Sequence, residues 1–201
     1  MAPGNNIKED LILKRETEKY AKVWKCPQYK FWSGEVAEIG RVIDWAKKKP
    51  IKNILIIGCG EGYGLHYLIR DGFSAHGLDL VNVIRFKNLK NSMSVAPIWD
   101  TGIKSLSYDA CIAIDVLEHI PPDRIIRSIQ EVGRISKFFY FSISCKQDRM
   151  GRLINDTLHM TVKPAWWWVQ LISKYLTIET FTGSLKSVKV IGRKSGVLED
   201  E

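Results

Sequence analysis

The sequence has little cysteine: four residues in 201, at positions 26, 59, 111 and 145, with no CxxC pair among them. That spacing excludes zinc ribbons and the dense disulfide frameworks of small secreted domains, and it fits a reducing compartment. Long apolar runs are also missing. The four-residue stretch 54–57 falls far short of the roughly 20 residues a membrane span needs, so no membrane partner is expected. The opening MAPGNNIKEDLILKRE lacks a basic segment followed by an apolar one, so no secretory leader is expected and a cytoplasmic location is. Repeats, low-complexity tracts and Gly/Ser linkers are lacking as well. With 45% hydrophobic and 26% charged residues, the composition excludes a disordered or collagen-like chain.

What is present is a basic globular sequence. Thirty Lys and Arg against 22 Asp and Glu leave a net charge of +8, spread along the chain, which suits a solvated basic surface or a polyanionic partner such as RNA. Apolar periodicity predicts helices over 7–25 and 34–48, the first broken by Cys26-Pro27 and the second by Pro50. The pattern then changes. The run NILII at 53–57 reads as a strand buried on both faces. Further strands are expected at 73–80, 93–99, 108–115, 138–143, 177–181 and 187–191, with helices at 65–70, 122–132 and 164–175. Alternating strands and helices imply an α/β, Rossmann-like, doubly wound sheet of seven strands. The last two strands flank Gly183 closely enough for a hairpin, which places one antiparallel strand at the edge. A single domain is expected, with residues 1–50 as a helical extension and 51–201 as the main body.

The first strand ends in Gly58-Cys59-Gly60-Glu61-Gly62. Glycines there let the chain turn tightly and let a ligand approach the backbone. The dinucleotide fingerprint fails, because Tyr63 or Leu65 stands where its third glycine belongs. A P-loop is excluded by the lack of Gly-Lys-Ser/Thr. Asp79 closes the second strand about 20 residues after Gly58, the spacing of a ribose-binding acid.

Three segments in this order, ILIIGCGEG, GLDL and YDACIAIDVLEHIPP, resemble the class I S-adenosylmethionine-dependent methyltransferases over residues 54–143. The resemblance implies that S-adenosylmethionine lies along Gly58, Cys59, Gly60, Glu61 and Gly62. It also implies that Asp79 and Leu80 hold the ribose, that Asp100 lies near the adenine, and that Asp115 and Val116 line the transfer pocket. One departure is Ile56, at a position where the family usually carries an acid; Glu61 is a candidate to compensate. Asp115-Val116-Leu117-Glu118 stands where the amino-methylating nucleic-acid enzymes carry D/N-PP-Y, which argues against that branch.

Methyl transfer is an in-line displacement, so the protein supplies alignment, a dry site and removal of the acceptor's proton. Asp115, Glu118, His119 and His159 are the candidates. DVLEHI with a later loop histidine is similar to metal-dependent O-methyltransferases, ubiquinone-biosynthetic and small-RNA ribose enzymes among them. That similarity implies Asp115, Glu118, His119 and His159 as ligands of Mg²⁺ or Mn²⁺. Without a metal, His119 or His159 serves as the base, and Asp115 joins them as a catalytic candidate. His66 and His76 sit in helix and strand patterns and read as structural.

Two aromatic segments remain. Trp166, Trp167 and Trp168 cannot share one helix face, so at least one is exposed or covers a ligand; packing on the sheet is the alternative. The segment 18–32 interleaves Lys19, Lys22, Lys25 and Lys30 with Tyr20, Trp24, Tyr29, Phe31 and Trp32, which suits a lid or a single-stranded nucleic-acid surface. The expected function is methylation of a hydroxyl on a small molecule or sugar. RNA ribose 2′-O-methylation and a non-catalytic cofactor-binding relative are the alternatives.

Overall fold

The computed structural model describes residues 3–29 and 33–196; Lys30, Phe31 and Trp32 lie outside the described residues. In chain order the elements are α1 (Pro3–Val23), α2 (Ser33–Ala46), β1 (Asn53–Ile57), α3 (Tyr63–Arg70), β2 (Ser74–Asp79) and β3 (Met93–Val95). β4 (Tyr108–Ile114), α4 (Ile125–Ile135), β5 (Ser136–Ser144), α5 (Ala165–Ser173), β6 (Leu176–Gly183) and β7 (Ser187–Lys194) follow.

The seven strands form one sheet in the order β3-β2-β1-β4-β5-β7-β6. β1 to β5 are mutually parallel. Strand order runs outward from β1 in one direction, then restarts on its other side with β4. The β1/β4 junction is therefore the crevice where ligands collect in such sheets. The expected hairpin is present, and its second strand is the inverted one: β7 inserts antiparallel between β5 and β6.

Alternation along the strands sends side chains into two cores. On one face Leu55 and Ile57 of β1 meet Phe139 and Phe141 of β5, under Ile129 and Val132 of α4 and Trp168 of α5. On the other, Ile54 and Ile56 meet Ile112 and Tyr140, under Ile39 and Val42 of α2 and Leu65 of α3. A strand enclosed on both sides needs the continuous apolar run that 53–57 shows.

Two elements differ from their expected extents. β3 stops at Val95 instead of reaching 99, because Pro97 has no N–H to donate to a ladder. α4 starts at Ile125 instead of 122: the Arg124 N–H donates to the Pro121 carbonyl at 2.8 Å in a turn before it. The four cysteines form no disulfide. No described helix is long and apolar enough to cross a membrane.

Candidate active site

The crevice at the carboxyl ends of β1, β2 and β4 is a cavity of about 570 Å³. Its floor is the glycine loop. Gly58 and Gly60 adopt φ of 69° and 49°, where a side chain is strained, and a Cβ on Gly58 would collide with Val116 Cγ2. At Gly60 a Cβ would come within 2.9 Å of the Trp24 ring. Gly62 caps α3 beside Ile84 and does not line the cavity, whereas Cys59 and Glu61 do.

Asp79 ties the second strand to this loop. Its Oδ2 accepts from the Gly60 N–H at 2.9 Å and its Oδ1 from the Leu80 N–H at 2.7 Å. Burial raises its pKa against the pull of these amides. Asp79 and Leu80 line the cavity; Asp100 does not. The Asp100 side chain is 65% exposed and lies 3.4 Å from Arg127, so the expectation that it sits near the adenine is corrected. Ile98 and Trp99, just before it, line the cavity instead.

Ile56 is buried in the core beside Ile39. Glu61 stands at the cavity, 3.9 Å from Arg85. A second carboxylate there, Glu38 of α2, escaped sequence reasoning. Tyr140 donates to it at 2.5 Å, Arg41 at 2.8 Å, and Lys189 lies 2.8 Å away. Burial opposes its charge, but Lys189, Tyr140 and Arg41 outweigh that and lower its pKa. The available signal was an acid on the otherwise apolar stripe of α2.

At the end of β4, Asp115 has φ 57°, its N–H donates to the Ser142 carbonyl at 2.9 Å, and it lines the cavity with Val116. A 3-10 turn, Leu117–His119, follows. Glu118 is fully buried; its Oε1 accepts from the Ser144 N–H at 2.5 Å, while Oε2 has no hydrogen-bond partner. Burial, reinforced by the neighbouring Asp115, raises its pKa well above the carboxylate range. His119 lines the cavity, and burial followed by the charge of His159 lowers its pKa to about 4, so it is neutral at pH 7. Its Nδ1 is 2.8 Å from Tyr20 Oη, and burial raises the pKa of that phenol.

His159 lies beside His119, ring centroids 4.6 Å apart, and does not line the cavity. Its Nδ1 is 2.6 Å from the Lys146 carbonyl. A carbonyl only accepts, so Nδ1 of His159 carries a proton. Glu118, His119 and His159 each bring a ligand-type atom within 4.8 Å of the others. Asp115 stands outside this group, which corrects the four-residue set to three.

The wall is aromatic, but not where Trp166, Trp167 and Trp168 suggested. Tyr20, Trp24, Tyr29 and Trp99 supply it. Trp168 is wholly buried in the core, Trp166 is 62% exposed, and none of the three lines the cavity. His66 stacks on Phe86 and His76 pairs with Ser94, both away from the cavity. Among the described residues, the lining holds five carboxylates and no Lys or Arg. The +8 charge is therefore carried elsewhere.

Residues 55–141 match the family described as a methyltransferase domain. An uncharacterized protein of Methanocaldococcus jannaschii is 30% identical over 87 residues, 43% of this chain and 37% of that one. The ubiquinone biosynthesis O-methyltransferase of Serratia proteamaculans is 28% identical over 101 residues, 45% of this chain and 42% of that one. The chain thus spans about two fifths of the length of these relatives. In structure it is similar to the N-methyltransferase NodS of Bradyrhizobium japonicum, solved with S-adenosyl-L-homocysteine. The TM-score is 0.65 at 12% identity, covering 88% of this chain and 98% of NodS.

Proposed function

We propose that the chain is a class I S-adenosylmethionine-dependent methyltransferase that methylates a hydroxyl on a small molecule; the match of residues 55–141 to the methyltransferase-domain family and the likeness in fold to NodS support this. One observation carries this reading. The glycine loop, Asp79 and a neutral histidine share one cavity at the strand ends.

The cavity suits the cofactor. Gly58 and Gly60 let the loop pack directly against Val116 and Trp24 where no side chain would fit, and Asp79 retains lone pairs for ribose hydroxyls beyond those given to Gly60 and Leu80. Leu80, Ile98 and Trp99 offer apolar surface to the adenine, and Asp115 and Val116 flank the point of transfer. S-adenosylmethionine, when bound, supplies an electrophilic methyl on a sulfonium. The protein's part is alignment, exclusion of water and handling of one proton. His119 is a group on the wall that can accept the acceptor's hydroxyl proton at a ring nitrogen, with Asp115 beside it as a second candidate. That Tyr20, Trp24 and Tyr29 line the cavity supports reading the N-terminal extension as a lid over the transferase unit.

A divalent cation is the second reading, favoured by the orphaned Glu118 Oε2. Glu118, His119 and His159 would hold it, and it would acidify the acceptor hydroxyl. Two imidazoles with one carboxylate suit Mn²⁺ better than Mg²⁺. An RNA acceptor draws no support from a lining of five carboxylates.

The test is calorimetric titration of S-adenosylmethionine, with and without Mn²⁺. It is followed by measurement of S-adenosylhomocysteine release across hydroxylated acceptors for the wild type and His119→Gln. Micromolar binding, with turnover lost in the variant, supports the reading. No cofactor binding overturns it; binding without turnover leaves a non-catalytic relative.

A further inference from the structure

Two consecutive residues of α1 reach the two segments that carry the histidines. Tyr20 Oη lies 2.8 Å from His119 Nδ1. Lys19 Nζ donates to the Thr157 carbonyl at 3.3 Å and lies 3.2 Å from Met160 Sδ, so it grips the loop on both sides of His159. Lys19 is 3% exposed and paired with Glu16, also buried, at 2.5 Å. A lysine this deep is costly unless its partners compensate, and every partner here belongs to α1 or to the His159 loop. The loop is tied to the turn that carries His119 as well: the Thr161 N–H donates to the Glu118 carbonyl at 2.9 Å and its hydroxyl to the Ile120 carbonyl at 2.7 Å.

The tautomers complete the picture. His159 has a proton on Nδ1, directed at the Lys146 carbonyl. For His119 the same outcome requires Nδ1–H to donate to Tyr20 Oη, which leaves Nε2 to accept a proton or a cation. We infer that Tyr20 is a positioning residue that accepts Nδ1–H of His119, fixes its tautomer with Nε2 open, and makes docking of α1 part of assembling the site. This rests on the reading of His119 as the group that serves the acceptor. Nothing in the local sequence marks Tyr20 for the task, since the contact spans 99 residues.

Long-range ¹H–¹⁵N spectra of protein labelled at histidine read the tautomers directly, without an acceptor. The expected result is a single Nδ1–H form of His119 in the wild type and a mixture in Tyr20→Phe, with His159 unchanged. Calorimetric affinity for Mn²⁺ should fall about 10- to 100-fold in the same variant, the usual effect of losing a partner behind a ligand. A wild-type His119 in the Nε2–H form overturns the inference, and so does a Tyr20→Phe protein with unchanged tautomer and Mn²⁺ affinity. Where that variant does not fold, the wild-type tautomer alone decides. Failure to bind S-adenosylmethionine marks failure of the methyltransferase reading instead, and the tautomer of His119 is read independently of it.

Discussion

Asp79 Oδ2 accepts a hydrogen bond from the Gly60 N–H at 2.9 Å, so the end of β2 anchors the glycine loop that follows β1. The carboxylate thus has two tasks, shaping the loop and offering lone pairs to the cavity. Asp79→Ala removes both and should abolish measurable S-adenosylmethionine binding by calorimetry. Asp79→Asn keeps one carbonyl oxygen for the loop and should weaken binding about tenfold, in line with the loss of about 1.5 kcal/mol from one hydrogen bond. Equal loss in both variants would mean that the charge, not the loop bond, matters.

Gly58→Ala should destabilise the protein and weaken the cofactor. The residue sits at φ 69°, and the new methyl meets Val116 Cγ2. Left-handed strain costs about 1–2 kcal/mol and the overlap about 1–3 kcal/mol more. Adding Val116→Ala should restore roughly 1 kcal/mol or more by relieving the overlap, but not the strain. Urea unfolding of the single and double variants gives that coupling.

The pair Glu131–Arg134 predicts an acid-sensitive contribution to stability. Burial opposes the Glu131 charge, yet Arg134 and Thr101 hold its pKa down to about 2. Arg134 donates at 2.7 Å through both Nε and Nη2, and the Thr101 N–H at 3.1 Å. A carboxyl with a depressed folded pKa stabilises above its unfolded value and loses that contribution as pH falls. Glu131→Gln should therefore cost about 2 kcal/mol at pH 7, with the gap to wild type closing between pH 4.5 and 2. A gap that stays constant through that window would show that packing, not charge, is responsible.

Cysteine reactivity should follow burial. Burial pushes the Cys111 thiol up to about 12, and Cys59 is also buried, while Cys26 and Cys145 are partly exposed. Iodoacetamide at pH 8 should label Cys26 first and leave Cys111 intact until the protein unfolds, as read by peptide mass spectrometry. Early labelling of Cys111 would contradict the enclosed position of β4.

What the sequence by itself determined is whatever local chemistry controls. The doubly buried strand at 53–57, the glycine turn after it and the acid closing β2 are legible because period, backbone freedom and spacing are properties of neighbouring residues. Those few positions were enough to point at the carboxyl end of the first strand.

Only the tertiary structure decided who shares the cavity. Glu38 meets Tyr140 across 102 residues and Tyr20 meets His119 across 99, contacts that no local pattern encodes. Asp100 turned outward to Arg127 while its neighbour Trp99 turned in, a choice made by the direction of one irregular loop after β3. The three tryptophans at 166–168 went to the sheet and to solvent because α5 packs against β6 and β7, far from the glycine loop. Long-range placement follows from which faces bury the most apolar surface together, and that sum is settled over the whole chain at once.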